Sequence, residues 1–202
     1  IEGLTVKIAE EDGEILVKGP NLMQGYYKNP EATAEVMDSE GWFHTGDVGK
    51  FVEGRFLKIT DRKKEIFKTS SGKYIAPLMI ENKIKECRFV EQSMVVGENQ
   101  KFASAIIVPS FVNFKEYCKD HNITWSNNEE MSKHDELKKL INDHVKVINK
   151  SLAPYEQLKR VGILSKEWSI EGGELTPKMS LKRKIIKENN TEAINKIFAV
   201  ED

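Results

Sequence analysis

Two stretches of the chain combine residue types and spacings that could do chemistry. The first covers residues 41–77, GWFHTGDVGKFVEGRFLKITDRKKEIFKTSSGKYIAP. Gly41-Trp42-Phe43 and Thr45-Gly46-Asp47 put glycines where backbone must turn or come close to a ligand, with one carboxylate, Asp47, at the tip. Asp47 could equally be a turn-capping aspartate after Gly46. The second stretch, LTPKMSLKRK at residues 175–184, sets four cations, Lys178, Lys182, Arg183 and Lys184, among turn-forming and apolar residues just before a helix. A compact ammonium on such a loop can enter a site and meet negative charge without bidentate geometry. The plain alternative is a solvated basic helix start. A nucleic-acid patch would interleave aromatic stacking partners with the cations, and none are here. Thr69-Ser70-Ser71-Gly72-Lys73 lacks the first glycine of a nucleotide-binding P-loop and has Tyr74 where Ser or Thr should follow the lysine. Its small residues fit a tight turn instead.

The elements that must carry these residues follow from periodicity. Phe51-Val52 and Phe56-Leu57-Lys58-Ile59 alternate around Glu53-Gly54, the pattern of a strand pair joined by a tight turn. Asp61-Arg62-Lys63-Lys64-Glu65 has no apolar residue to pack, so it is expected to be solvated and loosely held. Upstream, residues 4–9 and 14–19 alternate on either side of Glu11-Asp12-Gly13, giving another hairpin. Asn29-Pro30-Glu31 opens a short helix to about Met37, with a cap, a proline in the first turn and an acid at the positive end. Residues 1–60 thus predict four strands and one short helix, too little to enclose much core.

From Ile75 onward the pattern is that of one α+β domain. Pro77 opens a helix with Ile80, Ile84 and Cys87 on one face and Lys83 and Lys85 towards water. Residues 93–96 and 103–108 predict an antiparallel pair buried on both faces. Residues 111–118 predict a helix with a core stripe of Phe111, Phe114 and Tyr117. HNITWSNNEEMS at 121–132 has turn formers and no period, so it reads as a loop. Residues 134–152 predict a long helix with Leu137, Leu140, Ile141, His144, Val145 and Ile148 on one side. His144 reads as a core residue, since no Cys, Asp or Glu lies at coordinating spacing. Residues 161–164 are a last candidate strand. A flexible Glu171-Gly172-Gly173-Glu174 follows, and then the basic loop and a helix carrying Ile185, Ile194, Ile197 and Phe198. The fold class expected is α+β: a small β-rich subdomain, a charged hinge, and a C-terminal domain of antiparallel strands packed with helices.

Composition excludes some partners. The chain has 202 residues with 31 Lys plus Arg against 32 Asp plus Glu, so no overall field draws in nucleic acid or anionic lipid. Cys87 and Cys118 each lack a second cysteine at metal-ligand or redox spacing. They read as reduced, structural thiols of a cytoplasmic protein. No stretch has a signal-peptide pattern, and no apolar run approaches the length that spans a bilayer. The Asn-x-Ser/Thr triplets at Asn122, Asn149 and Asn189 then read as coincidental.

Three motifs together resemble the C-terminal part of the adenylate-forming enzymes, and most closely the long-chain fatty acid–CoA ligases. GWFHTGDVG resembles that family's ribose-binding motif, DRKKEIFKTSSGKYIAP its interdomain hinge and the first strands of its mobile domain, and ELTPKMSLKRKII its catalytic-lysine loop. The resemblance runs through essentially the whole chain, and the length between Pro109 and Pro154 fits the long-chain branch. It implies three parts: residues 1–60 as the β-subdomain closing a larger N-terminal domain, 61–66 as hinge, and 67–202 as the mobile C-terminal domain. It implies that the chain is a fragment, inactive alone, whose missing N-terminal domain holds the phosphate loop and acyl pocket.

Carried over residue by residue, the resemblance implies that Lys182 is the catalytic lysine. Leu181 stands where many relatives have glycine, which leaves the choice between Lys182 and Arg183 open. Asp47 is implied to accept hydrogen bonds from both ribose hydroxyls, with Arg62 reaching the ribose or phosphate. Asp61 and Lys64 are implied as the hinge, where exposed charge imposes no packing penalty on a torsion change. Ser70, Ser71 and Gly72 are implied to approach the pantetheine arm of CoA, with a plain hairpin turn as the alternative. The implied partners are a fatty acid, ATP and CoA, with Mg2+ expected beside ATP and no metal ligands in this stretch. Peripheral membrane association is implied only for the full-length enzyme. Two other readings stay open: an adenylating domain that loads a carrier protein's phosphopantetheine, and a non-catalytic module that presents its basic loop to a partner.

Overall fold

The structure, a computed structural model, describes residues 2–199. The chain divides into two compact units between Ile66 and Phe67.

The first unit is a four-stranded antiparallel sheet in the order β1-β2-β3-β4, with one helix. Strands β1 (Thr5–Ile8) and β2 (Glu14–Lys18) form the expected hairpin, in register from Thr5 opposite Lys18 to Ile8 opposite Ile15. Helix α1 (Pro30–Val36) starts where the cap signal placed it: the Asn29 side chain accepts from Ala32 N at 3.0 Å. Strands β3 (Phe43–Val52) and β4 (Phe56–Arg62) join through Glu53 and Gly54, whose φ values of 54° and 64° are the two left-handed torsions a tight hairpin of this hand needs. Among the described residues of this unit only Ile15 and Leu16 are buried apolar side chains, in keeping with the small core expected.

The charged run at 61–65 is not loosely held. Asp61 and Arg62 are the last residues of β4, paired across to Val48 and Asp47. Asp61 is 0% exposed and accepts from Arg62 N at 2.6 Å, so the solvated environment expected for it is corrected. Residues Lys63–Glu65 then form a single 3-10 turn. Acid and base partners from other strands order this segment, which local composition does not reveal.

The second unit holds the main core. A two-stranded hairpin of β5 (Phe67–Lys68) and β6 (Tyr74–Ile75) leads into α2 (Pro77–Ile84). A three-stranded sheet follows, ordered β7-β8-β9, with β7 (Val90–Val96), β8 (Ala103–Pro109) and β9 (Leu158–Ile163). Between β8 and β9 come α3 (Phe111–Asp120), α4 (Asn128–Lys133) and α5 (Asp135–Asn149). Helices α6 (Arg183–Asn189) and α7 (Thr191–Ala199) close the described chain. Every residue of the central strand β8 is buried, as its unbroken apolar run predicts. Ile80 and Ile84 of α2, Phe114 of α3 and Leu137 and Ile141 of α5 pack in one core with Met94 and Ile106 of the sheet. His144, expected in the core, is half-buried at its edge, with Nε2 2.9 Å from Lys83 O.

Four local expectations change. The 121–132 segment is not all loop: α4 is capped by Asn127, which accepts from Glu130 N at 2.9 Å while the Glu130 carboxylate accepts from Ser126 N at 2.8 Å. Strand β9 runs parallel to β8, whereas β7 pairs antiparallel with it. Its partner is set by a crossover through three helices, a long-range outcome with no local signature. The last helix is two, broken at Asn190, which ends α6 with φ −119° and whose side chain donates to Ile186 O at 2.8 Å. Ile186 is the fully buried residue of α6. Finally, Glu174 is no part of a flexible stretch, since it is 2% exposed and hydrogen-bonded.

Candidate functional site

In the first unit, Asp47 and Arg62 face one another across β3 and β4, and Arg62 Nε lies 3.1 Å from Asp47 Oδ1. The side chains are 25% and 60% exposed, so the pair is formed yet open to solvent. Gly46 has φ +70° with nothing within 4 Å of a Cβ built on it, so glycine is needed there for its torsion and not for space. Thr45 closes the turn: its hydroxyl donates to Ile15 O at 2.7 Å and accepts from Asp47 N at 3.1 Å. Tyr26, His44, Gly46, Arg62 and Lys64 are among the residues that line an adjoining cleft, as are Glu14 and Lys63. Asp47 is outside that lining and is joined to it by Arg62.

Glu14 organises the cleft and was not singled out from the sequence. Its Oε1 accepts from Gly46 N at 2.9 Å, and its Oε2 accepts from Lys63 Nζ at 2.8 Å and lies 3.0 Å from His44 Nδ1. Lys63 also bridges to Asp12 at 2.7 Å, and His44 Nε2 is 3.7 Å from Asp38. Burial works to raise the Glu14 carboxyl, but hydrogen bonds from Lys63, His44 and Gly46 N outweigh it and hold the group below its ordinary value. Lys63 is raised in turn by its bonds to Asp12 and Glu14. A signal was present: strand alternation puts Glu14 on the same face as Leu16, and both are buried. A charge on the buried face of a strand implies a partner.

In the second unit, residues 174–182 form a closed loop and not a loose tether. Lys182 N donates to Glu174 O at 2.8 Å, Leu175 and Leu181 pair as an isolated bridge, and Thr176 N donates to Ser180 O at 2.9 Å. Pro177, Lys178 and Met179 form the tip, with Met179 64% exposed at φ +61°. Glu174 anchors the base, accepting from Ser169 N at 3.3 Å and Asn189 Nδ2 at 3.1 Å. Burial raises the Glu174 carboxyl and these donors more than offset that, leaving it lowered.

Lys182 and Arg183 are adjacent but differently placed. Arg183 makes a two-pronged pair with Glu81 of α2, at 2.6 and 2.8 Å, and Glu81 also accepts from Val95 N at 2.8 Å. The Arg183 and Glu81 side chains are 16% and 4% exposed. Lys182, the N-cap residue of α6, is exposed. An aligned fork held by a buried carboxylate is a structural joint; an exposed ammonium is available to a ligand.

Ser70, Ser71 and Gly72 form the exposed turn between β5 and β6, with Gly72 at φ +81°. Buried Thr69 fastens the turn, its hydroxyl 2.9 Å from Ser71 Oγ, and Ser70 N donates to Gln100 O at 2.9 Å. Of the two residues named as hinge, Asp61 is buried in β4 and Lys64 is exposed in the 3-10 turn. Among the described residues no group of three or more His, Cys, Asp or Glu side chains is arranged to hold a metal ion, and no helix is long and apolar enough to cross a membrane.

Comparison with known proteins gives these features a context. The profile of the AMP-binding enzyme C-terminal domain family matches residues 64–202. Human long-chain-fatty-acid–CoA ligase 1 is 39% identical over 201 residues, covering 98% of this chain and 29% of the ligase. Long chain acyl-CoA synthetase 7, peroxisomal, of Arabidopsis thaliana is 36% identical over 192 residues, covering 93% of this chain and 27% of that protein. Among solved structures, the adenylation domain of a carboxylate reductase from Mycobacterium chelonae superposes with a TM-score of 0.76 at 26% identity, covering 98% of this chain and 31% of that one. The A domain of the Segniliparus rugosus enzyme, in complex with AMP and a co-purified carboxylic acid, does so with a TM-score of 0.76 at 25% identity, covering 97% and 31%. The chain therefore spans less than a third of the length of these relatives. With the profile covering the greater part of its length, the chain belongs to the AMP-binding enzyme C-terminal domain family.

Proposed function

We propose that this chain is the C-terminal portion of an ATP-dependent long-chain fatty acid–CoA ligase, in which residues 1–60 complete the larger N-terminal domain, 61–66 are the hinge and 67–202 the mobile domain. The observation that carries the reading is 39% identity to a long-chain ligase sustained over 98% of the chain, through both units. The fatty acid carboxylate attacks the α-phosphate of ATP and pyrophosphate leaves. The CoA thiol then attacks the acyl carbon and AMP leaves.

Asp47 accepts from the ribose hydroxyls, a charge-assisted contact that fixes the nucleoside, and Arg62, already paired to it at 3.1 Å, reaches the ribose or phosphate. Lys182 meets the negative charge that accumulates at phosphorus during adenylation. Its exposure, beside an Arg183 already committed to Glu81, supports that choice between the two cations. Ser70, Ser71 and Gly72 lie on an exposed, fastened turn suited to passing close to the pantetheine arm in the second half-reaction. In this reading Mg2+ would accompany ATP, held chiefly by its phosphates and water. Buried, free Cys87 and Cys118 accord with a cytoplasmic setting.

The test uses the full-length protein that carries this chain. Lys182→Ala is expected to slow fatty-acid-dependent pyrophosphate release by roughly two to three orders of magnitude, the size of one lost electrostatic contact in a transition state. Conversion of preformed acyl adenylate to thioester should be largely spared. Equal loss in both halves would sink the assignment. A second reading, transfer to a carrier protein's phosphopantetheine, draws on the likeness to carboxylate reductase adenylation domains. Turnover that requires a carrier protein and ignores free CoA would favour it.

A further inference from the structure

We propose that Glu14 is a positioning residue for the nucleotide site, a buried carboxylate that holds the Asp47 turn and the Arg62–Lys63 corner to one another. The inference rests on the reading of Asp47 and Arg62 given above. Glu14 divides its two oxygens between the two segments. Oε1 accepts from Gly46 N at 2.9 Å, one residue before Asp47, and Oε2 accepts from Lys63 Nζ at 2.8 Å, one residue after Arg62. His44 Nδ1, on the strand that leads into the turn, adds a third contact to Oε2 at 3.0 Å. One side chain therefore brackets the Asp47–Arg62 pair, which closes at 3.1 Å between those anchor points.

Only 3% of Glu14 is exposed, so water cannot replace a lost partner, and any slip of the turn or the corner leaves a buried acceptor unsatisfied. An apolar side chain on the Leu16 face of the strand would add stability without desolvating a charge. What the acid adds is geometry, because a charged acceptor with fixed donors specifies one arrangement of three segments. Asp12 takes part from the solvent side, bridging Lys63 at 2.7 Å. It keeps Lys63 paired when Glu14 is changed, so substitution need not unfold the unit.

The experiment compares Glu14→Gln, Lys63→Met and the double variant in the full-length protein, reading KM and kcat for ATP-dependent pyrophosphate release, with hydrogen exchange over residues 42–50. Glu14→Gln is expected to raise the KM for ATP about tenfold with kcat within about threefold and the KM for fatty acid unchanged, the signature of a loosened binding group. Exchange over 42–50 should quicken locally. Lys63→Met should show the same split, and the double variant should be no worse than the worse single one, because both act through the same corner. An ATP KM indifferent to Glu14→Gln in an active enzyme would overturn the inference alone. So would a joint rise of both KM values with faster exchange throughout the unit, which marks a structural role only. Absence of pyrophosphate release by the unsubstituted protein would instead overturn the ligase reading itself, and with it the nucleotide part of this inference.

Discussion

Arg183 owes its role to its match with Glu81. Both carboxylate oxygens are engaged, at 2.6 and 2.8 Å, and one of them also holds the backbone of β7 through Val95 N. Lysine could keep the charge but not the fork. Glu81→Ala is therefore expected to destabilise the second unit by about 3–5 kcal/mol, since it removes both prongs of the fork and the acceptor of Val95 N together, while Arg183→Lys costs about 1–2 kcal/mol. Urea unfolding of the two variants checks the order, and a larger loss in Arg183→Lys would refute it. At this scale Asp47, Arg62 and Lys182 can be singled out as candidates because each stands in a local run of residues. Glu14, Glu81 and Glu174 were not, since each finds a donor far away in sequence: Lys63, Arg183 and Asn189. A buried acid can be suspected from its place on an apolar face, but its partner depends on the fold.

The 3-10 turn Lys63–Glu65 lies near the end of the first unit, and its first two residues are held unequally. Lys63 is clamped by Asp12 and Glu14, and Ile66 N returns to Arg62 O at 3.3 Å, whereas Lys64 is exposed. If the chain acts as the proposed ligase, backbone rotation between the half-reactions is easier at exposed Lys64 than at buried Asp61. Proline suits the first turn of a helix, where φ is already near its fixed value. Lys64→Pro should accordingly fold yet lose torsional freedom, and adenylation and thioester formation, measured separately in the full-length protein, should fall unequally. Equal loss would point to misfolding. Both N-terminal hairpins, α1, α2, α3, α5 and the β7–β8 pair followed from periodicity and caps. Helix α4 escaped although Asn127 and Glu130 spell a capping box, because no apolar period accompanies it. The parallel seat of β9 and the break at Asn190 are set by packing at long range, which no window of sequence contains.

Across the whole molecule the two units draw on different sources of stability. The second encloses a continuous apolar core from Phe67 to Ile197, while the first buries only Ile15 and Leu16 among its described apolar side chains and relies on the Asp12, Glu14, His44 and Lys63 cluster. Hydrophobic burial is indifferent to pH; the cluster is not. Bonds from Lys63 hold the Asp12 carboxyl below its ordinary value, and Glu14 is likewise lowered against its burial. A depressed carboxyl lends stability that is full above its unfolded pKa, near pH 4, and is lost as pH falls through the folded value. Lys63, raised by the same partners, lends stability that is full below its unfolded value and disappears only in strong alkali. The first unit should therefore be the acid-labile one. Glu174, also lowered, extends some sensitivity to the 174–182 loop, but that loop sits on a core that acid does not dissolve. Residue-resolved amide NMR of the 202-residue chain through an acid titration should show signals from the first unit collapsing at a higher pH than those of β7 and β8. Glu14→Gln should flatten that transition, since a neutral amide has no charge to lose. Simultaneous loss of both units, or earlier loss of β7 and β8, would mean that the charge cluster is not what holds the first sheet together.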